Sequence, residues 1–569
     1  MSSTSSAQTT PAGGRGRSVE APAGAGGELS HRQIMEIMAG LLLGMFLAAL
    51  DQTIVASAIR TIGDDLHGLS IQAWVTTAYL ITATITTPLY GKLSDIYGRK
   101  PLFITAISIF IVGSALSSLA TSMYMLAGFR ALQGLGAGGL FSLALAIIAD
   151  IVPPRERARY QGYFLAVFGM SSVLGPVIGG FLAGQSSILG ITGWRWVFLV
   201  NVPIGLIALF VVGRVLNLPH QPREHRIDWQ GAVALTIALV PLLIVAEQGR
   251  GWGWGSPISL ACYAVGLLGL GLFIWAESWA GDDALIPLRF FKNKTFSLTA
   301  IIGFIVGVGM FGGLAALPLY LQIVKGASPT KSGLLIIPLV AGIMVGSIAS
   351  GQLISRTGRY RIYPIVGAAC MVVSMLLLRT ISVDTQFVLT SLYMGLFGFG
   401  LGNVMQPITL AVQNALPPQD IGVTTSSATF FRQMGGTLGT AVFLSILFST
   451  VGDKIQSAFG AAAKTPAFQA ALRDPSVLSN PANRPVLGAL HGAGSTVSSA
   501  DLNDTSFIQH LSAVLARPFK VGFSDAMHIV FTVGAGVLIV GFVLLLFLPE
   551  VPLRTQSGQL ARQEGAHAE

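Results

Sequence analysis

The chain has 569 residues, of which 52% are hydrophobic and only 10% charged, and its mean hydropathy is +0.69. So few charges cannot cover a water-facing surface of this size, which excludes an ordinary soluble protein and makes lipid the bulk solvent. The net charge of +9 comes from basic residues scattered through short loops between apolar runs, so it reads as membrane orientation and excludes nucleic acid as a partner.

Residues 1–33 are rich in Ser, Thr, Ala, Gly and Pro and read as a disordered cytoplasmic tail. The first apolar run begins near Ile37 without a small-residue cleavage site, so it is expected to remain as the first span. A membrane helix needs about 20 apolar residues. Fourteen such runs follow one another, centred near Phe46, Ile81, Ile111, Ala137, Met170, Ile207, Ala238, Leu267, Val308, Gly342, Met371, Phe399, Thr437 and Leu538. The expected fold is therefore all-α and integral to the membrane. Its parts are a six-helix bundle over 34–216, two inserted helices over 217–296, five helices of a second bundle over 297–450, a long outward loop over 451–524, the last span over 525–550 and a cytoplasmic tail over 551–569. Apolar periodicity from Phe507 to Phe519 leaves two readings of the long loop: a solvated link, or one holding short amphipathic helices.

With the tail inside, the short inner loops hold fifteen basic residues, among them Lys92, Arg99, Arg155, Arg223 and Arg359, against six in the short outer links, so both termini are expected in the cytoplasm. The 68 glycines suit helices that approach closely in a bilayer. Cys262 and Cys370 each sit inside an apolar run, which leaves neither a disulfide framework nor a metal cluster.

An internal repeat divides the chain. Gly91-Lys-Leu-Ser-Asp95-Ile-Tyr-Gly98-Arg99 after span 2 is echoed by Gly351-Gln-Leu-Ile-Ser355-Arg-Thr-Gly358-Arg359 after span 10, and Asp150 before Pro153-Pro154 is echoed by Asn414 before Pro417-Pro418. Gly91 and Gly98 permit a tight turn, Asp95 offers a carboxylate to a helix N-terminus, and Arg99 has Asp150 as a candidate partner, which would make a breakable latch. Plain positive-inside punctuation is the rival reading, but it has no need of Asp95. Since the second copy lacks both acids, the latch is expected on one side only.

Two phosphate-loop look-alikes carry no chemistry. Gly134-Leu-Gly136-Ala-Gly138-Gly139 fits G-x-G-x-x-G but lies inside an apolar helix with no preceding strand, so tight helix packing explains it. Gly326-Ala-Ser-Pro-Thr-Lys331-Ser332 lacks the second glycine and faces outward. The Asn503-Asp-Thr505 sequon is assigned no role, and neither H-E-x-x-H nor a nucleophile elbow occurs, so an enzyme is not expected. Without an ATP site, the driving force must be an ion gradient, and a lone buried carboxylate couples to protons.

Asp51 is the one charge between Glu36 and Arg60, and Arg130 the one charge between Arg99 and Asp150 that lies within a span. Counted from the outer helix ends they lie about 12 and 9 Å deep at 1.5 Å per residue, level with one another. Asp51 is the expected proton-binding carboxylate and Arg130 its electrostatic regulator, a static buried pair being the alternative. Arg432 is expected to face the cavity or a helix contact, with snorkelling as the rival.

The strings GKLSDIYGRK, RALQGLGAGG from Arg130, GPVIGG from Gly175 and WRWVFLVNVPIG from Trp194, in this order, resemble the major facilitator superfamily and specifically its fourteen-span drug:proton antiporters. The resemblance covers about residues 35–450 and the last span. It implies a major facilitator fold of six, two and six spans in a cell inner membrane, with Gly175, Pro176, Gly179 and Gly180 as the antiporter motif. It also implies a monomer with no cofactor beyond the proton gradient, exporting hydrophobic and in some cases cationic small molecules. The alternative of the same fold is a lipid or glycolipid exporter whose outer loop meets a lipid or partner lipoprotein.

Overall fold

The computed structural model describes residues 30–67, 72–218, 226–491 and 506–554. Most of the expected tails, Arg223 and the 503–505 sequon lie outside the described residues. The long helices are α1 (His31–Asp65), α2 (Ala73–Tyr97), α3 (Arg99–Ser118), α4 (Met123–Ile151) and α5 (Pro154–Ala183), then a short α6 (Trp196–Leu199) and α7 (Asn201–Val215). Next come α8 (Trp229–Trp252), α9 (Pro257–Ala280), α10 (Lys294–Leu319), a short α11 (Pro329–Leu335), α12 (Ile337–Thr357), α13 (Ile362–Leu378), α14 (Phe387–Ala415) and α15 (Ile421–Ala462). Three short helices, α16 (Pro466–Ala471), α17 (Pro475–Ser479) and α18 (Arg484–His491), precede α19 (Ala513–Leu545). The described strands are the pair Ser187–Ile188 and Ile191–Thr192.

Helix starts are set locally. Ser30, Ser122, Asp228, Ser256, Asn293 and Ser328 each accept a backbone N–H of the first turn, satisfying donors that lipid cannot. Gly98, at φ +94°, breaks the chain sharply between α2 and α3, a backbone angle that side chains resist.

A helix stands at each of the fourteen expected centres, and among the described residues twelve are long and apolar enough to cross a membrane. The two others differ for separate reasons: α13 has 17 residues, while α2 carries a threonine-rich face together with Lys92 and Asp95. That polarity is absorbed by packing. Thr82 Oγ1 donates to Ala131 O at 2.8 Å and Thr87 Oγ1 to Gly138 O at 3.3 Å, tying α2 to α4. The glycine run on α4 completes the contact, because a Cβ at Gly134 would stand 2.4 Å from Tyr79 O and one at Gly138 2.3 Å from Ala83 O.

Two bundles result: α1–α5 with α7, and α10 with α12–α15 and α19. They meet along α5 against α12 and α2 against α15. The inserted α8 lies against both α2 and α15, and α9 packs along α8 while presenting Leu260, Leu267, Leu268, Trp275 and Trp279 outward.

The long link is shorter than expected, since 450 and 525 both fall inside helices. Val451, Ile455 and Phe459 repeat every four residues, so α15 keeps a buried seam to Ala462, closed by Phe459 against Phe519 of α19 at 4.9 Å between ring centres. Between them α16–α18 are helical, the second of the two readings.

Candidate functional site

Asp51 and Arg130 meet. Arg130 Nη1 donates to Asp51 Oδ2 at 2.5 Å, with the side chains 1% and 0% exposed. Two more donors reach the other oxygen: Gln133 Nε2 to Asp51 Oδ1 at 3.0 Å and Asn201 Nδ2 at 2.8 Å. Gln133 comes from the next turn of α4 and Asn201 from the start of α7, so two helices hold the carboxylate of a third. Arg130 also donates to Gln133 Oε1 at 2.7 Å and lies 4.1 Å over the Tyr79 ring. With three donors aimed at it, the carboxylate is the acceptor in all three contacts.

The next residue along α1, Gln52, looks into a cavity. Its amide donates to Tyr79 Oη at 3.5 Å, and the Tyr79 ring lies against Arg130, so Gln52 is in the cavity wall and next to the buried pair. The cavity, ≈220 Å³, lies between the two bundles and is walled mainly by apolar groups such as Met45, Phe141, Phe164, Met310, Phe311 and Met405. Two charged side chains also line it: Arg432 of α15 and Glu247 of the inserted α8. Arg432 thus turns into the cavity, and a Cβ at Gly307 would lie 2.3 Å from its carbonyl, so α10 crosses α15 closely at that level.

One end of the cavity is closed by contacts between the bundles. Arg99 Nη2 pairs with Asp95 Oδ1 at 2.6 Å and Arg99 Nε with Asp150 Oδ2 at 2.7 Å, all three side chains being buried. Asp95 Oδ2 accepts the backbone N–H of Val423 at 2.9 Å, at the N-terminus of α15 in the other bundle. Gly91 makes room for this crossing, as a Cβ there would stand 2.8 Å from Gly422 O. The one-sided expectation is corrected by Arg155 at the start of α5. It donates to Ser355 O at 2.8 Å and Arg356 O at 2.9 Å, at the C-terminus of α12, so the second copy answers with backbone carbonyls where the first uses acids.

The residues from Gly175 to Gly180 divide between two neighbours. Gly175 and Gly179 face α1, with Cβ positions 2.1 Å from Thr53 Oγ1 and 2.1 Å from Ser57 Oγ. Pro176 and Gly180 face α11, a Cβ at Gly333 lying 3.3 Å from Pro176 Cβ and one at Gly180 3.5 Å from Thr330 Oγ1.

Sequence reasoning missed Gln133, Asn201, Glu247 and Arg155. Asn201 and Glu247 did carry a signal, each being a polar residue inside an otherwise apolar run. Arg155 carried none, because its partners are backbone atoms.

The profile of the Major Facilitator Superfamily matches residues 41–440. The Multidrug transporter protein MdtP of Bacillus subtilis is 34% identical over 94% of this chain and 96% of its own length. Multidrug resistance protein 3 of the same organism is 36% identical over 74% and 81%. The crystal structure of the human organic anion transporter MFSD10 (TETRAN) superposes with a TM-score of 0.56 at 15% identity, covering 90% of this chain and 99% of that one, and so shares the fold. A match across most of the chain, full-length relatives above 30% identity and a bundle of apolar helices agree: this chain is a multi-pass membrane protein belonging to the Major Facilitator Superfamily.

Proposed function

We propose that the chain exports hydrophobic small molecules, cationic ones among them, across a cell inner membrane in exchange for protons. The observation that carries this reading is the buried Asp51–Arg130 pair set one side chain behind an apolar cavity between two bundles. The names of the relatives, which refer to multidrug transport and resistance, support the cargo class. They give no support to the lipid-exporter alternative.

In this reading all fourteen helices span, α2 and α13 included, and both termini face the cytoplasm. The latch end is then the cytoplasmic end, and its contacts hold that side shut in this conformation. Opening it must break the Asp95 contact with α15 and the Arg155 contacts with α12. Protonation of Asp51 weakens its hold on Arg130, Gln133 and Asn201, which gives the proton a direct effect on how α1, α4 and α7 pack. No cofactor is needed and a monomer suffices, since one chain supplies both bundles and the cavity.

The test is flux in proteoliposomes carrying the purified protein, across a panel of dyes, antibiotics and lipids, with and without a pH gradient. Gradient-dependent accumulation of lipophilic dyes is expected. Passive flux indifferent to the gradient, or movement of lipids alone, contradicts the reading.

A further inference from the structure

The inserted helices hold an acidic pair that the transport reading leaves unused. Asp228 caps α8, its Oδ1 accepting the Gly231 N–H at 2.6 Å. Glu277, near the end of α9, accepts the Ile286 N–H through Oε2 at 2.9 Å. Asp228 is 9% exposed and Glu277 1%. In each carboxyl group the second oxygen, Asp228 Oδ2 and Glu277 Oε1, is buried with no hydrogen-bond partner among the described residues.

Both orphan oxygens border one gap. A Cβ at Gly231 would stand 2.3 Å from Asp228 Oδ2 and 2.9 Å from Glu277 Oε1, so the missing side chain of this glycine is what keeps the space between them free. Two ionised carboxylates facing a shared buried gap repel each other and have lost their water. One proton eases both problems: it removes a charge and places a donor in the gap that both oxygens border. A hard metal ion takes six or more oxygens, and this gap offers two unpartnered ones.

The charged groups around the pair come from α2, the turn after α9, the segment holding Arg289 and the start of α15. Lys92 of α2 acts on Glu277 electrostatically, but its ammonium donates to Asp282 O at 2.7 Å. Asp282 and Asp283 follow α9, and Arg289 pairs with Asp282 at 3.0 Å and with Asp420 at 3.1 Å. Asp95, the latch carboxylate, lies on α2 one turn beyond Lys92.

We propose that Asp228 and Glu277 share one proton, which makes the inserted hairpin a second proton-binding site at the latch end, separate from Asp51. Loss of that proton leaves two negative charges near Lys92, so the hairpin then pulls harder on the helix that carries Gly91 and Asp95.

Infrared difference spectra of the full-length protein in lipid, recorded between acid and alkaline pH, test the assignment without any transported substrate. The outcome is therefore independent of whether the chain exports drugs. A buried protonated-carboxyl band is expected in the wild type and in Asp51→Asn, and lost in both Glu277→Gln and Asp228→Asn. Gly231→Ala, which fills the gap without removing an acid, is expected to shift or abolish the same band. A wild type without the band, or a band unchanged in both acid variants, overturns the proposal. So does loss of the band at fixed pH when sodium chloride replaces choline chloride, since that outcome assigns the gap to a metal cation.

Discussion

Asp51 and Arg130 were legible as single residues because a charge inside an apolar run is costly, about 2.5 to 3.5 kcal/mol on insertion scales, and so announces itself. Their neutral partners gave a weaker signal, since an amide in a membrane helix is cheap enough to pass for packing. Asn201 nonetheless donates to both Asp51 and Ser114, at 2.8 and 3.0 Å. Asn201→Leu removes a donor from a buried carboxylate and is expected to destabilise the protein by about 1–3 kcal/mol, read as a lowered thermal unfolding midpoint in detergent. Glu247 is the acidic member of the cavity wall. Its replacement by Gln is expected to raise KM for cationic dyes about tenfold while leaving neutral ones near wild type, as befits the loss of one partly shielded attraction of about 1.4 kcal/mol. Equal effects on both classes of dye would remove Glu247 from substrate recognition.

Helices and their order could be read from apolar length alone, whereas the contacts between them depended on atoms that the sequence does not display. The glycine run of α4 signalled close packing without naming α2 as the partner. Gly138→Leu places a side chain where Ala83 O and Thr86 Oγ1 each lie 2.3 Å from the Cβ position, so it is expected to cost roughly 1–3 kcal/mol or more and to reduce the yield of folded protein. The end of α15 was misplaced for a related reason. Hydropathy falls after Val451, but the seam of Ile455 and Phe459 continues against α19, and a seam is visible only once its partner is known. At the latch, Asp95→Asn and Arg99→Ala are each expected to slow turnover several-fold while leaving membrane insertion and substrate binding intact. The first weakens the contact between bundles at Val423, and the second removes the arginine that pairs with Asp95 and Asp150 behind it; neither alters the cavity wall. Wild-type turnover in both variants would strip the latch of any part in the cycle.

At the scale of the whole molecule, the repeat in the sequence foretold two bundles but a closure on one side only, and the second side proved to close with unlike chemistry: acid to backbone N–H on one side, arginine to backbone carbonyl on the other. The cavity between the bundles could not be read in advance, because its wall draws on helices far apart in the chain, from Met45 of α1 to Thr440 of α15. What joins these parts is the claim that a proton on Asp51 and a substrate in the cavity are exchanged through movement of the same helices. The most direct measurement is accumulation of a cationic dye by proteoliposomes holding Asp51→Asn, driven by a pH difference alone, with dye binding to the purified variant measured alongside. The account predicts retained binding and no accumulation against the dye gradient; a variant that still concentrates the dye from the pH difference would contradict it.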